Sequence, residues 1–228
     1  MKKTAILLTL LAAAVSARAQ SVVFDTTGGA VFSALTTANN QRYADDAKLA
    51  NASGETIGQI DISVLLQEDN TTADVYAFLF DATGTGGSPG ASPLWSSSVL
   101  AYDFTAFEDV VSFAVPNIAV PQNFFWAVEF RNIVKLDDFG TPVPNAIFGP
   151  QISSAASVQP AGASTSGTSF YLDADGANGA GGFTQVNVIG ADSTFAVKIY
   201  NAVPEPAAAS LLALGGAGIA LLLRRKRR

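Results

Sequence analysis

Through the middle of the chain, apolar and polar residues alternate with a period of two, and helical spacing is hard to find. Residues 60–66 (IDISVLL) alternate as a half-buried strand should, one face inward and one toward water. Residues 74–80 (DVYAFLF) are apolar on both faces and predict a strand buried inside a sandwich. Residues 109–115 (DVVSFAV) and 124–130 (FFWAVEF) follow, with breaks expected at Pro116 and Pro121. Residues 183–189 (FTQVNVI) and 193–200 (STFAVKIY) are expected to form a hairpin across Gly190-Ala191-Asp192. Weaker strand signals lie at 22–25, 42–49, 94–102 and 168–172.

The reading is about ten short strands, joined by turns rich in Gly, Ser, Thr, Asn and Pro. Two loops stand out, 82–93 (ATGTGGSPGASP) and 151–167. The pattern predicts one all-β ectodomain over 20–202, a single β-sandwich of jelly-roll type rather than an α/β fold. No repeat of constant period is present, which argues against a solenoid or propeller.

Both ends depart from this pattern. The first residues, MKKTAILLTLLAAAVSARAQ, combine Lys2 and Lys3, a short apolar run and the small-x-small step Ala17-Arg18-Ala19. This is the form of a signal peptide over 1–19, cut before Gln20, so the protein is expected to be exported. At the other end, 207–223 is uncharged with Ser210 its one polar residue. As a helix it would be ~25 Å long, enough for a thin bilayer. Arg224, Arg225, Lys226, Arg227 and Arg228 follow directly, and such a cluster stays cytoplasmic, leaving the preceding domain outside.

Val203-Pro204-Glu205-Pro206, the short Ala/Leu/Gly helix and the Arg-rich end occur in the order of the bacterial PEP-CTERM sorting signal, which 203–228 resembles. Ala207 departs slightly, since many members carry Ser or Thr there. The resemblance implies recognition of Pro204, Glu205 and Pro206 by a membrane-embedded exosortase, with removal of the tail. It also implies transient anchoring in the cytoplasmic membrane, then delivery to the cell surface or the extracellular polysaccharide matrix. The middle of the chain is similar to the β-sandwich ectodomains that precede such tails. Ala44-Asp45-Asp46, residues 75–81 (VYAFLFD) and Trp126-Ala127-Val128 carry that likeness.

Charge narrows the partners. Of 19 acidic residues only Glu205 lies outside 20–203, whereas eight of the 13 cations do (Lys2, Lys3, Arg18 and the five at the end). The exported stretch is therefore near −13, although the whole chain is −6. No nucleic acid is expected as a partner, because phosphate binding needs clustered cations. The chain has no Cys and no His, which removes disulfides, thiolate and His-based nucleophiles and His-bound metals.

Carboxylate chemistry and aromatic surfaces remain. Asp173, Asp175 and Asn178 place oxygen ligands in a Gly-rich turn and are the calcium candidate, calcium being the one cofactor considered. The turn lacks the Gly position and the closing Glu of an EF-hand and reads more strongly as hairpin punctuation. Asp45-Asp46 and Asp137-Asp138 are expected to be solvated loop charges. Trp126, in step with Phe124, Val128 and Phe130, is expected in the core; Trp95, beside a Gly/Ser/Pro loop, is the candidate for ligand binding. A glycosidase needs two carboxylates roughly 5 to 10 Å apart, and Glu129 has only Ala127 and Arg131 as its neighbours on one face. The expectation is thus a non-catalytic exported protein. The alternatives are a carbohydrate-binding module of the polysaccharide matrix and, after it, a carboxylate glycoside hydrolase.

Overall fold

Strands dominate because β-branched and aromatic residues at every second position give each strand a face to bury. The computed structural model describes residues 20–28, 31–34, 36–68, 70–154, 169–174, 182–187 and 193–202. The expected leader at 1–19 and the expected sorting tail at 203–228 lie outside them. Among the described residues no helix is long and apolar enough to cross a membrane, and one 3-10 turn occurs at Thr85–Gly87.

Fourteen strands are described: β1 (Val22–Asp25), β2 (Val31–Ala34), β3 (Gln41–Lys48), β4 (Glu55–Leu66), β5 (Asn70–Asp81), β6 (Trp95–Ser96), β7 (Leu100–Phe104), β8 (Glu108–Val120), β9 (Asn123–Leu136), β10 (Phe148–Ser154), β11 (Ser169–Asp173), β12 (Thr184–Asn187), β13 (Ser193–Phe195) and β14 (Val197–Asn201). They form two antiparallel sheets. In the first, β8 pairs with one edge of β4, while β14 and β10 share its other edge. β1 flanks β14, and β2 and β13 pair with β10. The second runs β12-β11-β3-β9-β5, with β6 and β7 sharing the far edge of β5.

One apolar core joins the two sheets. The first contributes Ile57, Ile60, Ile62, Val64, Phe113 and Phe148, the second Val75, Leu79, Phe124, Trp126, Val128 and Phe130. Phe148 meets Phe104 and Phe130 edge-on, both at 5.0 Å between centroids. Each such side chain, fully buried, contributes ~1.5–3 kcal/mol. The turn from β3 into β4 requires glycine: Gly54 has φ +80°, and a Cβ there would sit 2.0 Å from the Val120 carbonyl oxygen.

Several sequence expectations need correction. The principal strands are not short; β4, β5, β8 and β9 span 12 to 14 residues. Pro116 does not end its strand. β8 runs on to Val120, with Pro116 in an irregularity where the register with β4 shifts between Ile57 and Gln59. A proline is tolerated there because an edge strand asks for no second hydrogen bond. The expected 183–200 hairpin does not form: β12 pairs with β11, whereas β13 and β14 join β10 and β4 in the other sheet. Short strands of mixed character carry little register information, so the partner is set by the core. The 94–102 stretch divides into β6 and β7, β2 and β10 went unforeseen, and the start of the expected 151–167 loop is the end of β10.

Candidate functional site

β9 presents Trp126, Val128 and Phe130 to the core and Phe125, Ala127, Glu129 and Arg131 to the opposite face of the second sheet. That opposite face is also covered. Ala44, Phe78, Phe80, Phe125 and Ala127 form a second apolar cluster, with Tyr76, Ala82, Tyr171 and Phe183 packed against it. Cross-strand register sets Arg42, Glu129 and Tyr76 in one row and Ala44, Ala127 and Phe78 in the next. The two alanines leave room for the rings beside them.

An ion network lies in this layer. Glu129 is fully buried, and its Oε2 accepts hydrogen bonds from Arg42 Nε at 3.0 Å and Nη2 at 2.7 Å. Arg131 Nε donates to Oε1, so both carboxylate oxygens are engaged. Asp173, also buried, stands 3.9 Å from the second Arg42 amino group. The Arg42 guanidinium lies 3.9 Å from the centre of the Phe78 ring, and that of Arg131 lies 4.6 Å from the centre of Tyr76. Planar guanidinium suits both contacts, since it can stack and donate at once. The Glu129 hydrogen bond, foremost, holds the Arg131 pKa above its ordinary value.

Asp45 and Asp46 are not solvated loop charges. Both are buried on β3, on opposite faces. Asp45 Oδ2 accepts from Thr194 Oγ1 at 2.7 Å and from the Phe195 amide at 2.9 Å, fastening the second sheet to β13 of the first. Burial pushes its pKa up to about 8, with the Asp46 charge adding, while the donated hydrogen bonds pull it down. Tyr43, Phe170, Phe195 and Trp126 gather around this seam. Sequence reasoning missed it because an Asp-Asp pair ordinarily marks a turn. The surrounding strand signal at 42–49 was the clue.

Two surface grooves accompany these buried groups. The Gly-rich loop after β5 is tied by Gly90 N to Asp81 O and by Gly84 N to Ser88 O, each at 3.0 Å. Its groove of about 550 Å³ is lined by Thr85, Ser88, Tyr171, Phe183 and Gln185 among others. Burial, then Asp46 and Asp45, raises the Tyr171 phenol, keeping it protonated as a donor. The second groove, about 490 Å³, lies between β8 and the β6–β7 stretch and is lined by Trp95, Ser98, Leu100, Ser112 and Ala114 among others. Trp95 is half-buried, resting on the core while facing this groove.

The remaining sequence candidates fall as follows. Trp126 is in the core, as its periodicity predicts. Asp137 and Asp138 are in a turn, where Asp137 accepts from the Phe139 and Thr141 amides. Asp173 faces Arg42, while Asp175 and Asn178 lie outside the described residues, as do Pro204, Glu205, Pro206 and the five terminal cations. Among the described residues no group of three or more acidic side chains is placed to hold a metal. No protein-family model matches the chain, and neither the curated proteins nor the solved structures include a similar one.

Proposed function

We propose that this chain is an exported, non-catalytic surface or matrix protein, delivered by an exosortase through its C-terminal signal. The observation that carries the reading is the order of parts at the end: Pro204-Glu205-Pro206, 17 uncharged residues, then five cations. A compact unit over Ser21–Ala202, starting beside the expected leader cut and stopping where the signal begins, supports it. Ser21 and Asn201 hydrogen-bond to each other, which brings both ends of that unit together. The strand path supports a jelly-roll-like sandwich, since β3, β4, β5, β8, β9, β10, β11 and β14 change sheet in turn. A non-catalytic role is supported by Glu129, whose two oxygens are occupied by guanidinium donors.

In the native host, Glu205→Ala is expected to accumulate an unprocessed, membrane-bound precursor, followed by immunoblotting of membrane and surface fractions. Unchanged delivery of the mature protein to the surface defeats the reading.

A carbohydrate-binding body is the second reading, favoured by the Gly-loop groove, where an aromatic wall of Tyr171 and Phe183 meets Thr85, Ser88 and Gln185. Tyr171→Ala is then expected to abolish retention on polysaccharide from the host matrix. Undiminished retention removes this groove from consideration.

A further inference from the structure

The longest open edge among the described residues belongs to β8. This strand of 13 residues is paired on one side only, with β4. The other strands with one paired side, β1, β2, β6, β7, β12 and β13, have at most five. Past Glu108 and Asp109 this edge carries no charge, and what interrupts it is Pro116 with the irregularity around it, which leaves residues 110–114 unprotected by either device.

The hydrogen-bond pattern shows which groups are open. Leu66 N–H donates to Phe107 C=O, so Phe107, Asp109, Val111 and Phe113 turn their backbone groups toward β4. Val110, Ser112 and Ala114 turn theirs outward. At Val110 the N–H is taken, donating to the Asp109 carboxylate at 2.8 Å; the single Tyr102 hydroxyl proton goes to that same carboxylate at 3.0 Å, which leaves the Val110 C=O open. Ser112 and Ala114 have no outward partner among the described residues, and both side chains are exposed.

We propose that this edge pairs with the same edge of a second copy of the chain, antiparallel about Phe113. The strand matches itself in that register. Ser112 faces Ala114 of the other copy, and the two exchange both backbone hydrogen bonds, four in all over the pair. Pro116, which has no N–H, faces Val110, whose N–H is already taken. Glu108 and Asp109 face the irregular stretch near Asn117 rather than each other, so like charges are not opposed. Exposed Val110 and Phe107 border the seam, and the groove under Trp95 leaves room for the incoming side chains. A second copy fits this edge better than an unrelated extended peptide, because in this register the two positions without a free N–H, Val110 and Pro116, meet each other while Ser112 and Ala114 pair fully.

The chain has no cysteine, which makes register readable by cross-linking. Full-length Ser112→Cys and Ala114→Cys chains are purified in detergent, mixed and mildly oxidised. Directly opposed residues sit ~5.5 Å apart between Cα atoms, within disulfide reach, whereas the diagonal pairs within either single variant lie beyond it. The mixture is expected to yield a band of twice the chain mass, and neither single variant alone. Ser112→Lys combined with Ala114→Lys sets like charges opposite and is expected to leave monomer at an unchanged melting temperature. No cross-link in the mixture, equal cross-linking of the single variants, or a persistent dimer in the lysine variant overturns the proposal. So does an uncross-linked chain whose tryptophan emission instead shifts on titration with oligosaccharide, which assigns the groove to a sugar.

Discussion

The outward faces of the two sheets contrast. On the first sheet that face carries Gln59, Asp61, Ser112 and Lys198, half-buried or exposed, with Lys198 paired to Asp25 at 3.3 Å. On the second sheet the corresponding face is nearly dry, with Phe80, Ala127 and Glu129 at zero exposure. Sheets of the same kind thus place charge under opposite conditions. A pair in water adds little, because solvent already stabilises each ion. A pair held out of water must satisfy itself, and removing one member leaves the other stranded. The covered face therefore depends on its ion network in a way the wet face does not.

The severest way to break this contrast is Glu129→Ala, which leaves the Arg42 guanidinium buried without its main acceptor. The expected loss is ~3–5 kcal/mol, read from urea denaturation midpoints. A cost below ~1 kcal/mol, as for a pair in water, would erase the distinction between the faces. Ala44→Leu tests packing alone, since Ala44 is fully buried in the aromatic layer. Overfilling there is expected to cost ~1–3 kcal/mol by the same assay.

The seam between the sheets responds to pH. Folded Asp45 keeps its proton up to about 8, against an ordinary value of 3.8. Within that window the folded state binds more protons than the unfolded one, so stability falls as pH rises. The slope from this group is ~1.4 kcal/mol per pH unit between about 4 and 8, levelling above. Wild type and Asp45→Asn compared by thermal melts across that range are expected to differ by this slope. A constant difference defeats the prediction. Least affected is the wet face, where Lys198→Ala is expected to cost no more than ~0.5 kcal/mol, and less in high salt.

Part of this contrast is legible in the residues. The alternation in 60–66 marks a strand wet on one side, and the two-sided apolarity of 74–80 marks one covered on both. The lone Arg42, Glu129 and Arg131 within such strands were the available sign of a buried network. Charge type alone does not distinguish a surface ion from a paired internal one, and Arg42 and Glu129 are 87 positions apart in the chain. The similarity stretches 44–46, 75–81 and 126–128 do come together, as neighbouring strands β3, β5 and β9.

Local periodicity and composition determined that the described body is all-β, which long segments carry its core, that Trp126 is internal, and that neither thiol nor imidazole chemistry is available. Those properties depend on side-chain type and on spacing within one strand. Tertiary structure alone decided that Asp45 faces the seam, that Glu129 is shared by two arginines, that 184–187 and 193–195 join different sheets, and that β8 keeps an open edge. Each of these depends on which strands become neighbours, and that is chosen by burial and hydrogen bonding over the whole body, beyond the reach of any local pattern.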